Sequence, residues 1–224
     1  MRCFWLTILL IAVFTDLSAE TDSTNLTKYT PEFEFKEGIY LNFGQVKTNS
    51  PLPKSRIITI YDYTDQDFFD KVLEKDKIFY YDEIGNKNEL KTKNIWGYSR
   101  NGFIYIKIDD GFFRITLIGA ISHFVSSYTT YSNNYGSPYY YDYYLDPYRT
   151  YPQSYQNTEI RQYLFDFING RVFSYDEESL AILLMEDPEL HDEYMSLRKK
   201  KRKQQRFIYI RKFNERHPLY FPKN

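Results

Sequence analysis

The chain has 224 residues, 42% apolar and 20% aromatic, with 29 Lys and Arg against 30 Asp and Glu. A formal charge of −1 argues against a globally basic nucleic-acid binder, and the length suits one substantial core. The only cysteine, Cys3, lies ahead of an apolar run, which excludes disulfides, Cys-ligated metal and a cysteine nucleophile from the residues beyond it.

In chain order, Arg2 precedes Phe4 to Phe14, a run that is apolar except for Thr7, and Leu17-Ser18-Ala19 closes on a small residue. This is the pattern of a signal peptide, residues 1–19, cleaved after Ala19. The apolar run is too short to span a hydrocarbon core, which takes about 20 residues in a helix. The competing reading is a buried N-terminal helix. An exported domain of this size without paired cysteines points to a bacterial envelope. Residues 20–37 are polar and read as an N-terminal tail.

From Gly38 the pattern changes. Ile39 to Phe43 reads as a strand, residues 49–53 as a loop and Ile57 to Tyr61 as a second strand. Thr64 followed by Asp67 predicts a helix carrying Phe68, Phe69, Val72 and Leu73 on one face. Ile78 to Tyr81, Leu90 to Tyr98, Phe103 to Ile108 and Phe112 to Val125 read as strands. Gly85-Asn86, Asn101-Gly102 and Asp109-Asp110-Gly111 separate them. Ile104, Ile106 and Ile108 share one face; Phe113, Ile115, Leu117 and Ile121 share one face of the next strand. Apolar residues on both faces predict a sheet covered on both sides or curled on itself.

Residues 126–157 interrupt this. Eleven of the 28 residues from Tyr128 to Tyr155 are tyrosine, without apolar periodicity, and the segment reads as a flexible loop insertion. The domain then comprises 38–125 and 158–224. Tyr163, Phe165 and Phe167 alternate up to Asn169-Gly170, with Val172 returning opposite Phe167. Ser174 with Glu177 forms a capping box ahead of Leu180, Leu183 and Leu184. Asp187-Pro188 restarts a helix bearing Leu190, Tyr194 and Leu197, and helical spacing continues through Phe207, Ile208 and Ile210 to His217-Pro218. Leu219 to Pro222 reads as an extended tail packed on the domain. The expected fold is α+β: a curled antiparallel β-sheet, a meander or partial barrel, with one internal helix and C-terminal helices.

Several of these segments carry a resemblance. They are Gly38-Ile39-Tyr40-Leu41-Asn42-Phe43, Ile95-Trp96-Gly97-Tyr98 leading to Ile104-Tyr105-Ile106, and Phe113-Arg114-Ile115. The stretch from Asp187-Pro188-Glu189-Leu190 to His217-Pro218-Leu219-Tyr220-Phe221-Pro222 belongs with them. In order and spacing they resemble a family of uncharacterised exported proteins of Gram-negative bacteria. The resemblance covers roughly residues 38–224 outside the tyrosine-rich segment. It implies compartment and fold, and brings no reaction, ligand or catalytic residue.

Signals for chemistry are sparse. His123, His191 and His217 are far apart, with no i, i+4 metal pair and no H-E-x-x-H. His123 reads as a hydrogen-bonded residue of a core strand, with a catalytic base as the alternative. There is no nucleophile elbow, Walker loop or dinucleotide turn. Asp109-Asp110 reads as turn chemistry in preference to a cation site. No catalytic residue, metal ligand or cofactor is expected, although carboxylates from distant strands leave a hydrolase open.

Two features stand out as a binding surface. Tyr139, Tyr140, Tyr141, Tyr143 and Tyr144 would stack on a sugar or grip a partner protein if exposed, the alternative being an insertion with no role. Arg198, Lys199, Lys200, Lys201, Arg202, Lys203 and Arg206 surround a helix and lack Glu at i−4. The eight acidic residues between Asp176 and Glu193 are one partner for them within the protein. Otherwise the run is a solvated connecting helix, or makes a weak contact with an anionic surface. The expected function is a non-enzymatic structural or binding module of the bacterial cell envelope, periplasmic or extracellular. Its partner would be an envelope protein or a glycan, and export argues against nucleic acid. The alternatives are glycan binding through the tyrosine-rich loop and a carboxylate-dependent hydrolase.

Overall fold

The computed structural model describes residues 25–132 and 155–223, so the expected signal peptide lies outside the described residues. The chain begins with β1 (Leu26–Lys28), β2 (Gly38–Tyr40) and a short helix α1 (Phe43–Lys47). Then come β3 (Ile57–Ile58), α2 (Phe68–Leu73), β4 (Lys77–Tyr81) and β5 (Lys87–Lys91). A run of strands follows: β6 (Gly97–Arg100), β7 (Phe103–Ile108), β8 (Gly111–Leu117), β9 (Ile121–Ser132), β10 (Tyr155–Asp166) and β11 (Arg171–Ser174). Helices α3 (Glu177–Leu184), α4 (Pro188–Ser196) and α5 (Lys199–Arg216) precede β12 (Tyr220–Pro222).

Seven antiparallel strands form the main sheet in the order β11-β10-β9-β8-β7-β6-β2, a meander with β2 added at its far edge. Strands β3, β4 and β5 form a second sheet, and β1 pairs with β12. The main sheet is strongly curled. Trp96, just before β6, and Phe165, in β10, are four strand spacings apart, about 19 Å in a flat sheet. Their ring centroids are 5.7 Å apart. The fold is thus the α+β class expected, with a half-barrel at its centre.

The curl defines an inner and an outer face. Tyr40, Ile104, Ile106, Ile115, Phe124 and Phe165 pack together on the inner face. Phe43 of α1 lies 5.8 Å from Trp96 and 5.3 Å from Phe165 and fills the space between them. Phe33 stacks on Phe221 at 4.9 Å, and Phe35, 3% exposed, joins both rings. The segment read as a tail therefore contributes to the core, because β1 pairs with β12 and the Phe35 amide donates to the Gly102 carbonyl. The outer face is covered twice. α2 and the second sheet lay Phe68, Phe69 and Ile78 against Ile39 and Tyr98. Helices α3 to α5 lay Leu180, Leu190, Tyr194, Ile210 and Phe213 against Ile121 and Leu164.

Local chemistry redraws several boundaries. There are two internal helices, not one. Asn42 accepts from the Gln45 amide and Gln45 accepts from the Leu41 amide, a reciprocal cap that turns the strand expected through Phe43 into α1. α2 begins after Asp67 and its side chain makes no capping bond; α3 is capped by Asp176, not Ser174. Strand β3 ends at Ile58, and Ile60 is 89% exposed. A 3-10 turn at Thr92–Asn94 divides the strand expected from Leu90 to Tyr98. The stretch from Phe112 to Val125 is also two strands, broken at Gly119, where a Cβ would sit 2.3 Å from the Asn214 side chain of α5. Asn214 both accepts from the Ile121 amide and donates to the Ile121 carbonyl, each at 2.8 Å, pinning α5 to the start of β9. A register shift between Ile115 and Leu117 sends Phe113 and Ile115 to the inner face and Leu117 and Ile121 to the outer. Val172 lies opposite Phe165, not Phe167. Asn101 and Gly102, at φ 52° and 77°, form the tight turn their sequence predicts. Finally, β9 and β10 pair as far out as Ser132 with Tyr155, within the segment read as loop.

Candidate binding surface on the carboxyl-terminal helices

Helices α3 and α4 open as electrostatics favours. Asp176 accepts from the Ser179 amide, and Asp187 accepts from the Leu190 amide with Pro188 at the first position. Asp187 also accepts from Arg216 at 3.1 Å and lies 3.3 Å from His217. Burial alone would raise its pKa, but the Leu190 amide, Arg216 and His217 outweigh that and hold it below the usual carboxylate range. Helix α5 opens the opposite way. Arg198 makes no capping bond, Lys199, Lys200 and Lys201 fill the first turn, and no acid stands there.

The buried side of α5 is set by Tyr209, Ile210 and Phe213. That orientation splits the basic run. Arg202 turns inward and donates to the Met195 and Leu197 carbonyls at 3.2 and 3.3 Å, closing the end of α4. Arg206 donates to the Tyr175 carbonyl at 2.6 Å, with its guanidinium 4.0 Å over the Tyr175 ring. These two are structural, a correction to the binding surface expected from the whole run. Arg198, Lys199, Lys200, Lys201 and Lys203 are exposed, and none has an acidic partner among the described residues.

The eight nearby acids do not neutralise them. Glu193 binds Lys212 at 2.6 Å and accepts from the Tyr209 hydroxyl, while Asp187 and Glu189 both bind Arg216. All of these contacts lie on the carboxyl-terminal half of α5. Opposite the buried side, Lys200, Gln204, Ile208 and Arg211 follow one another at helical spacing and are all exposed, Ile208 at 50%. The i, i+4 and i+8 positions from Lys200 would have placed Ile208 in this stripe, but Ile208 was assigned to the apolar face. Arg211 extends the stripe and was not singled out.

The other sequence candidates resolve differently. Tyr139, Tyr140, Tyr141, Tyr143 and Tyr144 lie outside the described residues. His123 is 6% exposed, with Nε2 3.1 Å from the Gln162 side chain and its ring edge-on to Tyr175 and Phe207. Burial, helped by the Arg206 charge and opposed by Gln162, lowers its pKa and favours the neutral ring. It has the geometry of a packed core histidine. Asp109, at φ 51°, occupies the β7–β8 turn and accepts from the Tyr128 hydroxyl. An open cleft of about 640 Å³ is bordered by Glu37, Asp65 and Asp67. Glu37 binds Lys54 at 3.0 Å, and Asp65 binds Lys71. That bond holds Asp65 below the usual carboxylate range, the reverse of what a general acid needs.

Among the described residues, no three His, Cys, Asp or Glu side chains are grouped to hold a metal ion, and no helix is long and apolar enough to cross a membrane. Comparison with family models, curated proteins and solved structures gives no match to this chain.

Proposed function

We propose that this chain is a non-catalytic binding module of a bacterial cell envelope that docks on an anionic lipid surface through α5. The observation that carries this reading is the division of charge along the helix. Asp187, Glu189 and Glu193 are used on Arg216 and Lys212, leaving five exposed cations on the same helix as an exposed Ile208. Clustered lysines beside lipid phosphates gain attraction that they lack in water, and an isoleucine among them can enter the headgroup boundary. Because the chain is close to neutral overall, the attraction is local to this patch. The leader pattern of residues 1–19 and the resemblance to exported Gram-negative proteins support a location outside the cytoplasm.

The test is co-sedimentation with vesicles containing phosphatidylglycerol, against pure phosphatidylcholine vesicles, across a salt series. Binding confined to the anionic vesicles, and falling as the screening length shortens toward about 8 Å, supports the reading. Equal binding to both vesicles, or none at low salt, contradicts it.

A further inference from the structure

The cleft of about 640 Å³ lies on the outer face of the main sheet, and its volume falls within the range of small-molecule sites. Its floor is formed by β6, β7 and β8. Arg100 stands opposite Phe103 across the first pair, and Tyr105 stands opposite Arg114 across the second. The loop from Tyr63 to Asp67, leading into α2, borders the same cleft.

Its polar groups are held in place. Phe69, Tyr98 and Tyr105 form a stacked column with centroid spacings of 4.8 and 4.7 Å, and the last pair lies within 6° of parallel. Arg100 rests over Tyr105 at 5.6 Å and donates to Asp70 and to the Gln66 carbonyl at 3.1 and 3.0 Å. Arg114 lies 3.5 Å over the Phe103 ring with no acidic partner among the described residues. Groups fixed before a ligand arrives lose little freedom when it binds.

The charge in the cleft is balanced. Lys54, Arg100 and Arg114 line it together with Glu37, Asp65 and Asp67, and Lys54 is paired with Glu37 and Arg100 with Asp70. Such a cleft offers no net attraction to a phosphate or a polyanion. It offers fixed donors and acceptors together, beside two rings that are 43% and 46% exposed, Tyr63 and Phe103. A flat apolar ring receives the C–H face of a sugar, and paired donors and acceptors satisfy its hydroxyls.

We infer that this cleft binds a neutral oligosaccharide, with Phe103 and Tyr63 against the sugar rings and Arg100, Arg114 and Asp67 on the hydroxyls. The inference does not depend on lipid docking, since no residue of α5 lines the cleft.

Titration of the full chain with chitotetraose and with maltotetraose, followed by amide NMR shifts, tests it, with inorganic phosphate as a third probe. At least one tetrasaccharide should bind, with shifts centred on residues 63–67, 100–105 and 114, and phosphate should leave them unmoved. Phe103→Ala and Arg114→Ala, both on exposed side chains, should each weaken sugar binding about tenfold or more and keep the rest of the spectrum. Lys200→Glu with Lys201→Glu should leave sugar affinity unchanged. The inference is overturned if neither sugar binds, if the shifts lie elsewhere, if phosphate binds there instead, or if both cleft variants keep full affinity.

Discussion

The Arg206 guanidinium lies 4.0 Å over the Tyr175 ring while Nη1 donates to the Tyr175 carbonyl at 2.6 Å. This pair separates structural cations from free ones within a single basic run. Tyr175 in turn meets His123 and Phe207, so Arg206 closes an aromatic group where α5 crosses β9. Arg206→Ala should therefore destabilise the fold by about 2 kcal/mol, combining a stacked cation and a charged hydrogen bond. Lys200→Ala, on the solvent side, should change stability by no more than about 0.5 kcal/mol. Urea unfolding of the two variants reads the contrast, and equal values would contradict the division of the run.

Asp187 joins a helix cap to an ion pair. Asp187→Asn keeps a capping oxygen and removes the charge that Arg216 and His217 face. The folded pKa is lowered, so the stabilisation is complete above the unfolded value of about 4 and disappears as pH falls through the folded pKa. The variant should melt below the parent at pH 7, and the two curves should converge as pH drops below about 4. A difference that persists in strong acid would place the effect elsewhere.

His123 produces a second pH dependence, in a higher range. Its folded pKa is lowered by burial, so the unfolded state takes up a proton first as pH falls below about 6.5. The groups facing it are Gln162, Tyr175, Phe207 and Arg206, and only Arg206 carries charge. Stability should therefore decline from pH 7 to pH 5. His123→Phe, which keeps the ring contacts, should lose that decline. Parallel melting curves for parent and variant across this range would refute the assignment.

The curl of the main sheet depends on rings that meet across it. Phe165 touches Phe43, Trp96 and Phe167 and is fully buried. Phe165→Ala should cost about 3–5 kcal/mol, a buried ring lost from a packed core. Truncating the exposed Phe103 to Ala should cost far less. Chemical denaturation of both variants orders them.

What the sequence made legible follows from where apolar residues alternate. Ile104 and Ile106 could be placed because they alternate with less buried residues along β7, Phe165 because both faces are buried where β10 ends, and Asp187-Pro188 because cap chemistry is local. The outer parts of β9 and β10 were not legible, since Thr129 and Thr158 are exposed and no apolar residue marks a face. Phe33 and Phe35 were hidden in polar surroundings and gain a core role only through the pairing of β1 with β12. The reciprocal cap between Asn42 and Gln45 overrode a strand-like run from Ile39 to Phe43. The missing Glu at i−4 marked the basic run as uncompensated within its own turns. Which of its residues face solvent was decided by the docking of Tyr209, Ile210 and Phe213, which no local pattern around Arg198 reveals.

The most direct test of lipid docking compares two charge reversals that change net charge equally. Lys200→Glu with Lys201→Glu alters exposed lysines of α5; Lys91→Glu with Lys93→Glu alters exposed lysines on β5 and the turn after it. Affinity for phosphatidylglycerol vesicles at low salt should fall about tenfold or more in the first variant and stay within about twofold in the second. An equal loss in both, or no loss in the first, would show that α5 is not the docking face.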